Sequence, residues 1–437
     1  MNSKKAPSFM NNILLLLLIM GATLANAQNY DSYFTGNTTD VSTSPQGGVC
    51  LMGGATEEDE AMKWFLNRAD GGDVLVLRAS GSDGYNDYLY NQLGVTLNSV
   101  ETIVFNDASA SNEAYIQQKV SQAEAIWFAG GDQWDYISYW RNTAIDSLIN
   151  EGLAVRNIVI GGTSAGMAIQ GGIYFSAENG TVTSATALSN PFDSNVTADS
   201  NAFLNNGFLE NTITDSHYDS PDRKGRHVVF LARIWEDYGI SGKGIACDEY
   251  TAVCIDENGL ARVFGQHPTY DDNAYFLQIN CELSNPNPEM ISAGSPLTWD
   301  HNGAAVKVYA VKGTLTGTNT FDLSDWQTGS GGEWQDWSAV NGVLNEAPGN
   351  APDCSASIEE TTFSVNILPN PAHDYIEISS SAGDYSASLF DIQGNILRSV
   401  KNSPTSMDIR TLAQGTYWVQ LDFNNGRKSH KKFVVLR

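Results

Sequence analysis

Residues 154–169, AVRNIVIGGTSAGMAI, form the stretch that decides the fold of this chain. The apolar residues 158–160 predict a short β-strand, Gly161 and Gly162 end that strand, and the segment after Ser164 has the composition of a helix. Residues 162–166, GTSAG, match G-x-S-x-G, in which glycines allow a turn sharp enough to expose a hydroxyl at the end of a strand. A serine that only caps a helix after a glycine-rich turn is the plainer interpretation. Ser164 is therefore a candidate nucleophile whose partners must lie elsewhere in the chain.

Short apolar strands alternate with helical segments on the N-terminal side of this stretch. Strands are predicted at residues 49–52, 74–77, 101–105 and 125–128, and helices at residues 57–69, 83–93, 112–123 and 136–150. The alternation is typical of βαβ units, so it predicts a parallel sheet with helices on both faces. In such sheets the chemistry lies beyond the carboxyl ends of the strands. The strand-end sequences at residues 53–54, 78–80 and 130–133 are therefore expected to meet Ser164 at one edge.

The length of 437 residues and the apolar fraction of 42% indicate a globular protein of two or three domains. Residues 1–27 have basic residues, an apolar run and a final Ala-Asn-Ala, which predict a signal peptide, with an uncleaved anchor as the alternative. A polar lead at residues 28–46 precedes the main domain, residues 47–322. Residues 323–362 are interpreted as an edge elaboration and linker. The short strands of residues 363–437 predict a small β-sandwich.

The charge and the cysteines limit the partners of the protein. A net charge of −26 without a lysine and arginine stripe argues against nucleic acid. Of the five cysteines, Cys50 and Cys254 lie in apolar runs and are predicted to be buried thiols. Cys281 and Cys354 flank a loop-rich segment and could form a disulfide in an oxidising compartment. Because no C-x-x-C occurs, a zinc site has no support, and no metal is expected.

A serine hydroxyl needs a base, usually a histidine oriented by a carboxylate. The main body contains four histidines, namely His217, His227, His267 and His301. His217 is favoured because it lies in the polar segment TDSHY just before a predicted helix. The apolar neighbours of His227 place it on a helix surface or in the interior, and the other two have the surroundings of surface loops.

The carboxylate is expected at another strand end, where Asp248 and Glu249 precede a predicted strand. Either of the two could point into the site, although neighbouring loop carboxylates are more often merely solvated. The glycines of residues 130–133 leave backbone N–H groups unobstructed, so they could stabilise an oxyanion together with the N–H of Ala165. Residues from several strand ends would then form one site.

Four segments together resemble the cyanophycinase and aspartyl dipeptidase family of serine exopeptidases. They are FAGGDQ at 128–133, GGTSAG at 161–166, DSHY at 215–218 with the arginines that follow, and GIACDEYTA at 244–252. The resemblance spans about residues 47–322. It implies a flavodoxin-like fold related to class I glutamine amidotransferases, with the active-site residues in the order serine, histidine, acid.

Carried over to this chain, the resemblance implies that Ser164 is the nucleophile and that His217 acts first as base and then as acid. Glu249 would orient His217, with Asp248 as the second choice. The implied reaction is hydrolysis of a peptide bond at aspartate, such as the β-linked Asp-Arg unit of cyanophycin, through an acyl-enzyme. No metal or organic cofactor is required.

The same resemblance implies the residues that surround the substrate. The oxyanion N–H groups would be those of Gly131 and Ala165, and the substrate pocket would be lined by Gln133, Asp215, Arg223 and Arg226. An arginine can pair bidentately with a carboxylate of an aspartyl substrate. This chain departs from the cyanophycinase pattern at Ser216, where that pattern has glutamine, and at Pro221, where it has arginine. The sequence therefore supports the peptidase reaction better than it supports cyanophycin as the substrate of that reaction.

The C-terminal segment resembles the type A sorting domain of the type IX secretion system. The matching sequences are ILPNPA at 367–372, LFDIQG at 389–394, GTY at 415–417 and KKFVV at 431–435. This resemblance implies the type IX secretion machinery as a partner and a protein that is secreted or attached to the cell surface. The sequence does not decide the oligomeric state, although a homodimer is compatible with it.

Two other functions compete with a peptidase. An α/β-hydrolase esterase shares G-x-S-x-G but has the order serine, acid, histidine, so it would need His267 or His301 as the base. A secreted binding or adhesion protein could keep the fold without catalysis, because a fold alone does not determine function.

Overall fold

A computed structural model describes residues 28–200, 203–354, 365–370, 372–380, 384–391, 395–423 and 428–436. The predicted signal peptide at residues 1–27 lies outside these described residues. None of the helices in the described residues is both long enough and apolar enough to cross a membrane.

The described part of the main body contains two large sheets, one two-stranded sheet, and helices that cover the large sheets. The strands are β1 Tyr30–Gly36, β2 Val49–Met52, β3 Asp73–Arg78, β4 Ser99–Phe105, β5 Ala125–Phe128, β6 Val159–Thr163, β7 Tyr174–Phe175, β8 Ala198–Asp199, β9 Thr212–Asp215, β10 Lys243–Cys247, β11 Ala252–Ile255, β12 Leu260–Phe264, β13 Asn273–Ile279, β14 Val306–Lys312, β15 Asn319–Asp322, β16 Gly329–Ser330, β17 Gly332–Val340 and β18 Val343–Pro348. The α-helices are α1 Asp59–Asn67, α2 Gly84–Asp87, α3 Ala114–Gln122, α4 Gln133–Trp140, α5 Ala144–Glu151, α6 Ala165–Ala168, α7 Ser184–Ser189 and α8 Lys224–Tyr238.

The larger sheet has ten strands in the order β1-β4-β3-β5-β6-β2-β11-β12-β15-β16. The strands from β4 to β2 in this order run parallel, as the βαβ pattern predicts. The strands at both ends of the sheet are antiparallel to their neighbours, which the sequence analysis did not predict. One of them, β1, lies in the predicted polar lead, so this lead is an edge strand of the sheet.

The parallel strands follow the order β4-β3-β5-β6-β2. Counted in chain order, the parallel strands are arranged 3-2-4-5-1, so the first of them, β2, lies beside the last, β6. The position of β2 brings the loop that follows it next to Ser164, which follows β6.

Helices cover both faces of the larger sheet, as predicted. Val49 and Leu51 of β2 share a core with α3, α4 and α5, whereas Cys50 and Met52 of the same strand share a core with α1. This alternation follows from the two-residue period of a strand. The single helix predicted at residues 136–150 is instead two helices, α4 and α5, because Asn142 between them adopts φ 61°.

A second sheet of six strands, in the order β18-β17-β14-β13-β10-β9, was not predicted. Only the pair β9 and β10 in this sheet is parallel. Helix α8 packs on the sheet through a buried core that includes Val228, Leu231, Leu277 and Val308. The Ser- and Thr-rich segment of residues 180–200 contains α7 and β8, and β8 pairs with β7.

The predicted edge elaboration supplies β17 and β18 of this second sheet. Just beyond them, Cys354 is bonded to Cys281 with an S–S length of 2.05 Å, as the sequence analysis suggested. Cys50 and Cys254 are free and buried, which confirms that prediction. The rest of the predicted linker, residues 355–362, lies outside the described residues.

The C-terminal region consists of two small antiparallel sheets. Its strands are β19 Val365–Leu368, β20 Tyr375–Ser380, β21 Tyr385–Phe390, β22 Ile396–Val400, β23 Ser406–Asp408, β24 Gly415–Phe423 and β25 Lys428–Val435. The sheets β19-β20-β23 and β22-β21-β24-β25 contribute to one buried core, in which Ile376 and Ile378 of one sheet meet Val419 and Leu421 of the other. This region is a small β-sandwich, as predicted.

Candidate active site

Ser164 occupies a strained turn between β6 and α6. Its backbone has φ 54° and ψ −116°, a conformation that non-glycine residues rarely adopt. The turn requires glycine on both sides, because a Cβ at Gly162 would lie 2.5 Å from the carbonyl oxygen of Gly166, and one at Gly166 would lie 2.0 Å from that of Phe128. The two glycines of the G-x-S-x-G pattern therefore allow the sharp turn at Ser164, as predicted.

The structure brings together the three side chains predicted to form a triad. The hydroxyl of Ser164 lies 2.8 Å from Nε2 of His217, and Nδ1 of His217 lies 2.6 Å from Oε1 of Glu249. If the Nδ1–H donates to Glu249, Nε2 is free to accept the proton of the serine hydroxyl. This geometry suits a serine that is activated by a histidine.

We expected the three residues to come from one sheet edge, but they come from two sheets. Ser164 follows β6 of the larger sheet, whereas His217 and Glu249 follow the neighbouring parallel strands β9 and β10 of the second sheet. The expectation was wrong because the second sheet was not predicted. The site therefore lies at the junction of two sheets.

Gly53 and Gly54, which follow β2, form the contact between the two sheets at this junction. The carbonyl oxygen of Gly53 accepts from the N–H of His217 at 2.7 Å, and that of Gly54 accepts from Tyr250 at 3.2 Å. A Cβ at Gly53 would lie 1.9 Å from the carbonyl oxygen of Asp248. This glycine pair was predicted to lie at a strand end but not to join two sheets, although paired glycines after a strand indicate close approach of another backbone.

Asp248, the second choice for the acid, points away from His217. Its Oδ2 accepts from both the backbone N–H and the side-chain amide of Asn273, at 3.1 and 2.9 Å. Burial raises the pKa of Asp248 to about 7. The geometry therefore favours Glu249 as the partner of His217.

Comparison with known proteins agrees with this arrangement. Residues 51–263 match the model of peptidase family S51, and residues 366–436 match the model of the secretion system C-terminal sorting domain. The segment that matches the S51 model includes Ser164, His217 and Glu249.

Named relatives of the chain are distant. It is 21% identical to a cyanophycinase of Trichormus variabilis over 267 residues, which cover 57% of this chain and 79% of the relative. It is 23% identical to a cyanophycinase of Synechococcus elongatus over 237 residues, which cover 52% and 69%. A solved peptidase from an acI-B1 Actinobacterium is 14% identical, with coverage of 64% and 98% and a TM-score of 0.41.

The N–H groups of Ala165 and Gly131 were predicted to bind the oxyanion. Ala165 is the first residue of α6, so its N–H has no acceptor within the helix. A Cβ at Gly130 would lie 3.6 Å from Cβ of Ser164, so the loop that contains Gly131 passes beside the serine. The hydroxyl of Tyr136 donates to the carbonyls of Ala129 and Gly130 at 3.0 Å and holds this loop. The oxyanion role of both N–H groups stays a prediction.

Two of the residues predicted to bind substrate, Asp215 and Arg226, are buried and paired with each other. Asp215 is 3% exposed and Arg226 is 2% exposed. Nη2 and Nε of Arg226 donate to the two carboxylate oxygens of Asp215 at 2.5 and 2.8 Å, and Nη1 donates to Thr181 and Val182. Burial alone raises the pKa of Asp215, but the guanidinium of Arg226 outweighs it and lowers that pKa. Both groups are buried and paired with each other, which favours a structural role, and their role toward substrate stays a prediction.

The other two residues predicted to bind substrate make contacts within the protein. Arg223 donates through Nη1 to the carbonyl oxygen of Ser216 at 2.8 Å, directly before His217. Gln133 donates to the carbonyl oxygen of Phe175 at 3.2 Å. Both are partly buried, and their roles toward substrate stay predictions.

The remaining histidines of the main body lie away from Ser164. His227 lies in α8 and is fully buried, so of the two predicted placements, helix surface or interior, the interior one is confirmed. His267 is exposed. The ring of His301 contacts the carbonyl oxygen of Asn287 at 2.8 Å. The esterase alternative therefore lacks the base that it needs.

A cavity of about 600 Å³ opens beside Ser164 and His217. Its charged lining residues are Glu57, Asp59 and Arg78, and Tyr85 and Tyr88 line it as well. Of these residues, only Arg78 was predicted to lie near the site, at a strand end. The other four lie in segments that were predicted to be helices, so nothing in their sequence indicated a role in the site. Among the described residues, no cluster of three or more His, Cys, Asp or Glu side chains is placed to hold a metal ion.

Proposed function

We propose that this chain is a secreted, cyanophycinase-like serine exopeptidase that hydrolyses peptide bonds at aspartate through an acyl-enzyme. The observation that carries the proposal is the pair of hydrogen bonds of His217, 2.8 Å to Ser164 and 2.6 Å to Glu249. The match of residues 51–263 to peptidase family S51 supports a peptidase in particular.

In the proposed mechanism, Oγ of Ser164 attacks the scissile carbonyl carbon while Nε2 of His217 takes the hydroxyl proton. Glu249 holds the ring and stabilises the imidazolium that forms. The N–H groups of Gly131 and Ala165 stabilise the negative charge on the carbonyl oxygen.

The tetrahedral intermediate then breaks its C–N bond, and His217 gives its proton to the leaving amine. Water next attacks the ester formed with Ser164, while His217 takes a proton from the water. The ester bond breaks, the proton returns to Oγ of Ser164, and the aspartyl product leaves with a carboxyl group.

The substrate part of the proposal comes from the relatives, which are named cyanophycinases. The departures at Ser216 and Pro221 affect the expected pocket and leave the triad in place. We therefore propose aspartyl peptides as the substrate class, with the β-linked Asp-Arg unit of cyanophycin as one member.

The location follows from the C-terminal region. Its match to a secretion system sorting domain supports export by the type IX machinery, to the medium or the cell surface, with type A as the proposed subclass. We also propose that residues 1–27 are a signal peptide, that the main domain is related to the flavodoxin-like fold, and that the protein forms a homodimer. Fractionation of expressing cells and analytical ultracentrifugation of the purified chain test location and oligomeric state.

The decisive experiment incubates the mature protein and a Ser164→Ala variant with cyanophycin and with α- and β-aspartyl dipeptides. We expect products from at least one aspartyl substrate with the unchanged protein and none with the variant. Identical product profiles for both proteins would overturn the peptidase proposal.

A further inference from the structure

Arg78 is the basic residue of the cavity beside Ser164, since no other lysine or arginine lines the described part of that cavity. It ends strand β3, where the register pairs Leu77 with Phe128 and Phe128 with Gly162. Arg78 therefore lies level with Thr163 and two strands away from it, at a distance of about 10 Å between backbones. An arginine side chain that points into the cavity covers much of this distance.

The guanidinium of Arg78 is held in place but is not neutralised. Nη1 donates to the carbonyl oxygen of Ser82 at 2.9 Å. Gly81, with φ 93°, lets the loop close on the side chain, because a Cβ there would lie 2.3 Å from Nη2. Nε is buried without a hydrogen-bond partner in the described residues, and Arg78 forms no ion pair with them. A fixed arginine that lacks an acceptor is stabilised by an anion beside it.

The other arginines around the site differ from Arg78 in this respect. Arg226 is fully paired with Asp215, and Arg223 donates to a backbone carbonyl beside the histidine. Arg78 therefore supplies the only guanidinium or ammonium charge that the described cavity wall presents to a ligand.

The same cavity contains two carboxylates that are also held in place. The hydroxyl of Tyr85 donates to Glu57, and that of Tyr88 donates to Asp59 at 2.8 Å. Each tyrosine uses one carboxylate oxygen and leaves the other oxygen for a cation. The cavity therefore offers one positive and two negative groups within a space that fits one or two residues of a peptide.

We propose that Arg78 determines specificity by binding the free carboxylate of an N-terminal aspartyl residue on the acyl side of the scissile bond, while Glu57 and Asp59 bind its ammonium group. This inference rests on the proposed function. An N-terminal aspartyl residue carries both charges on one residue, whether its peptide bond is α- or β-linked. Since a chain extends at most about 3.6 Å per residue, only a carboxylate within about one residue of the scissile carbonyl reaches Arg78.

The test compares kcat/KM for Asp-Leu, Asn-Leu and Asp-Leu amide in the unchanged protein and in Arg78→Met, Arg78→Lys and Arg262→Met variants. Asn-Leu lacks the acyl-side carboxylate, and Asp-Leu amide lacks the carboxylate of the leaving group. Arg262 is the matched control, because it is an arginine outside the cavity lining.

We expect Arg78→Met to reduce the preference for Asp-Leu over Asn-Leu by about 10- to 100-fold, because it removes a charge-assisted hydrogen bond. Arg78→Lys should keep part of the preference, and Arg262→Met should keep all of it. N-acetyl-Asp-Leu should be a poor substrate, and Glu57→Gln should narrow the difference between the acetylated and free peptides.

An equal loss on all three peptides in Arg78→Met, or a selective loss with Asp-Leu amide, would overturn the inference. A fluorophosphonate that labels Ser164 in every variant shows that the site is folded and that its serine is reactive. If Ser164 labels but Arg78→Met keeps the aspartyl preference, this inference fails and the proposed function stands. If Ser164 does not label and no peptide is cleaved, both fail.

Discussion

A Cβ atom at Gly54 would lie 2.4 Å from Cε1 and Nε2 of His217. The imidazole thus occupies the space where any other residue at position 54 would place its side chain. Gly54 also has φ 113°, which L-residues rarely adopt. The loop after β2 therefore sets the position of the histidine ring, although no atom of Gly54 takes part in proton transfer.

From this contact we expect Gly54→Ala to lower kcat by about 100-fold, because a displacement of about 1 Å in a catalytic group has that effect. The measurement is kcat per active site, titrated with a fluorophosphonate, at a temperature where circular dichroism shows a folded protein. Gly207→Ala is the matched control, since Gly207 has open space at its Cβ position and no positive φ. Unchanged kcat in Gly54→Ala would mean that the ring can move away without loss.

The neighbouring carboxylates Asp248 and Glu249 should respond differently to neutralisation. Glu249→Gln should lower kcat by about 10³- to 10⁴-fold, because the acid of a triad holds the imidazole in its productive tautomer. Asp248→Asn should leave kcat close to that of the unchanged protein, since this carboxylate contacts Asn273 instead of His217. Steady-state kinetics on one aspartyl dipeptide checks both, and a larger loss in Asp248→Asn would reverse our assignment.

Asp248 should also make folding stability depend on pH. Burial raises its folded-state pKa from 3.8 to about 7, so the folded state binds the proton more tightly than the unfolded state. Its contribution is complete below pH 4 and is lost as the pH rises to about 7, with a slope of at most about 1.4 kcal/mol per pH unit. Asp248→Asn should remove this slope.

The check is urea unfolding of both proteins at several values between pH 4 and 8, compared as a difference curve. The difference is needed because burial lowers the pKa of His227 from 6.5 to about 4. This shift makes the folding stability rise with pH, whereas the shift of Asp248 makes it fall. The contribution of His227 is complete above pH 6.5 and is lost as the pH falls through about 4. Parallel curves for the two proteins would show that Asp248 titrates normally.

The fold could be predicted from the sequence where its signals are local. Each parallel strand from β2 to β6 is a short apolar run followed by a helical segment, so the alternation was visible. The second sheet was not visible, because β13 pairs with β14 and β14 with β17 across long polar segments. Strand β17, GEWQDWSAV, lies in a segment rich in Gly, Ser, Trp and Asp that has the composition of a linker, and only its pairing makes it a strand.

The same distinction applies to the site. Ser164, His217 and Glu249 each lie in a short motif, so residue type and order were enough to place them together. The pairing of Asp215 with Arg226 depends on the packing of α8 against β9, which no local pattern encodes. A buried ion pair and a substrate-binding pair use the same residue types, so the sequence could not distinguish them.

The disulfide between Cys281 and Cys354 should stabilise the main body. It closes a segment with a sequence separation of 73, for which chain entropy gives about 4 kcal/mol. We expect the double variant Cys281→Ala, Cys354→Ala to lose about this much in urea unfolding, and a reducing agent to lower the melting temperature of the unchanged protein. The reducing agent should have no effect on the double variant, because the other cysteines are free and buried. Equal sensitivity of the two proteins would contradict the pairing.

The buried pair of Asp215 and Arg226 allows a direct test of structural against substrate-binding roles. Asp215→Asn leaves the buried guanidinium of Arg226 without its counter-charge, which should destabilise the protein by about 3 to 5 kcal/mol. The double variant Asp215→Leu, Arg226→Met should recover much of this loss, because neither side chain then leaves a buried charge unpaired. KM for an aspartyl dipeptide, measured on the folded fraction, should change little in the double variant. A stable Asp215→Asn protein with a strongly raised KM would instead support the substrate-binding role that the family resemblance implied, since only an accessible pair would behave in that way.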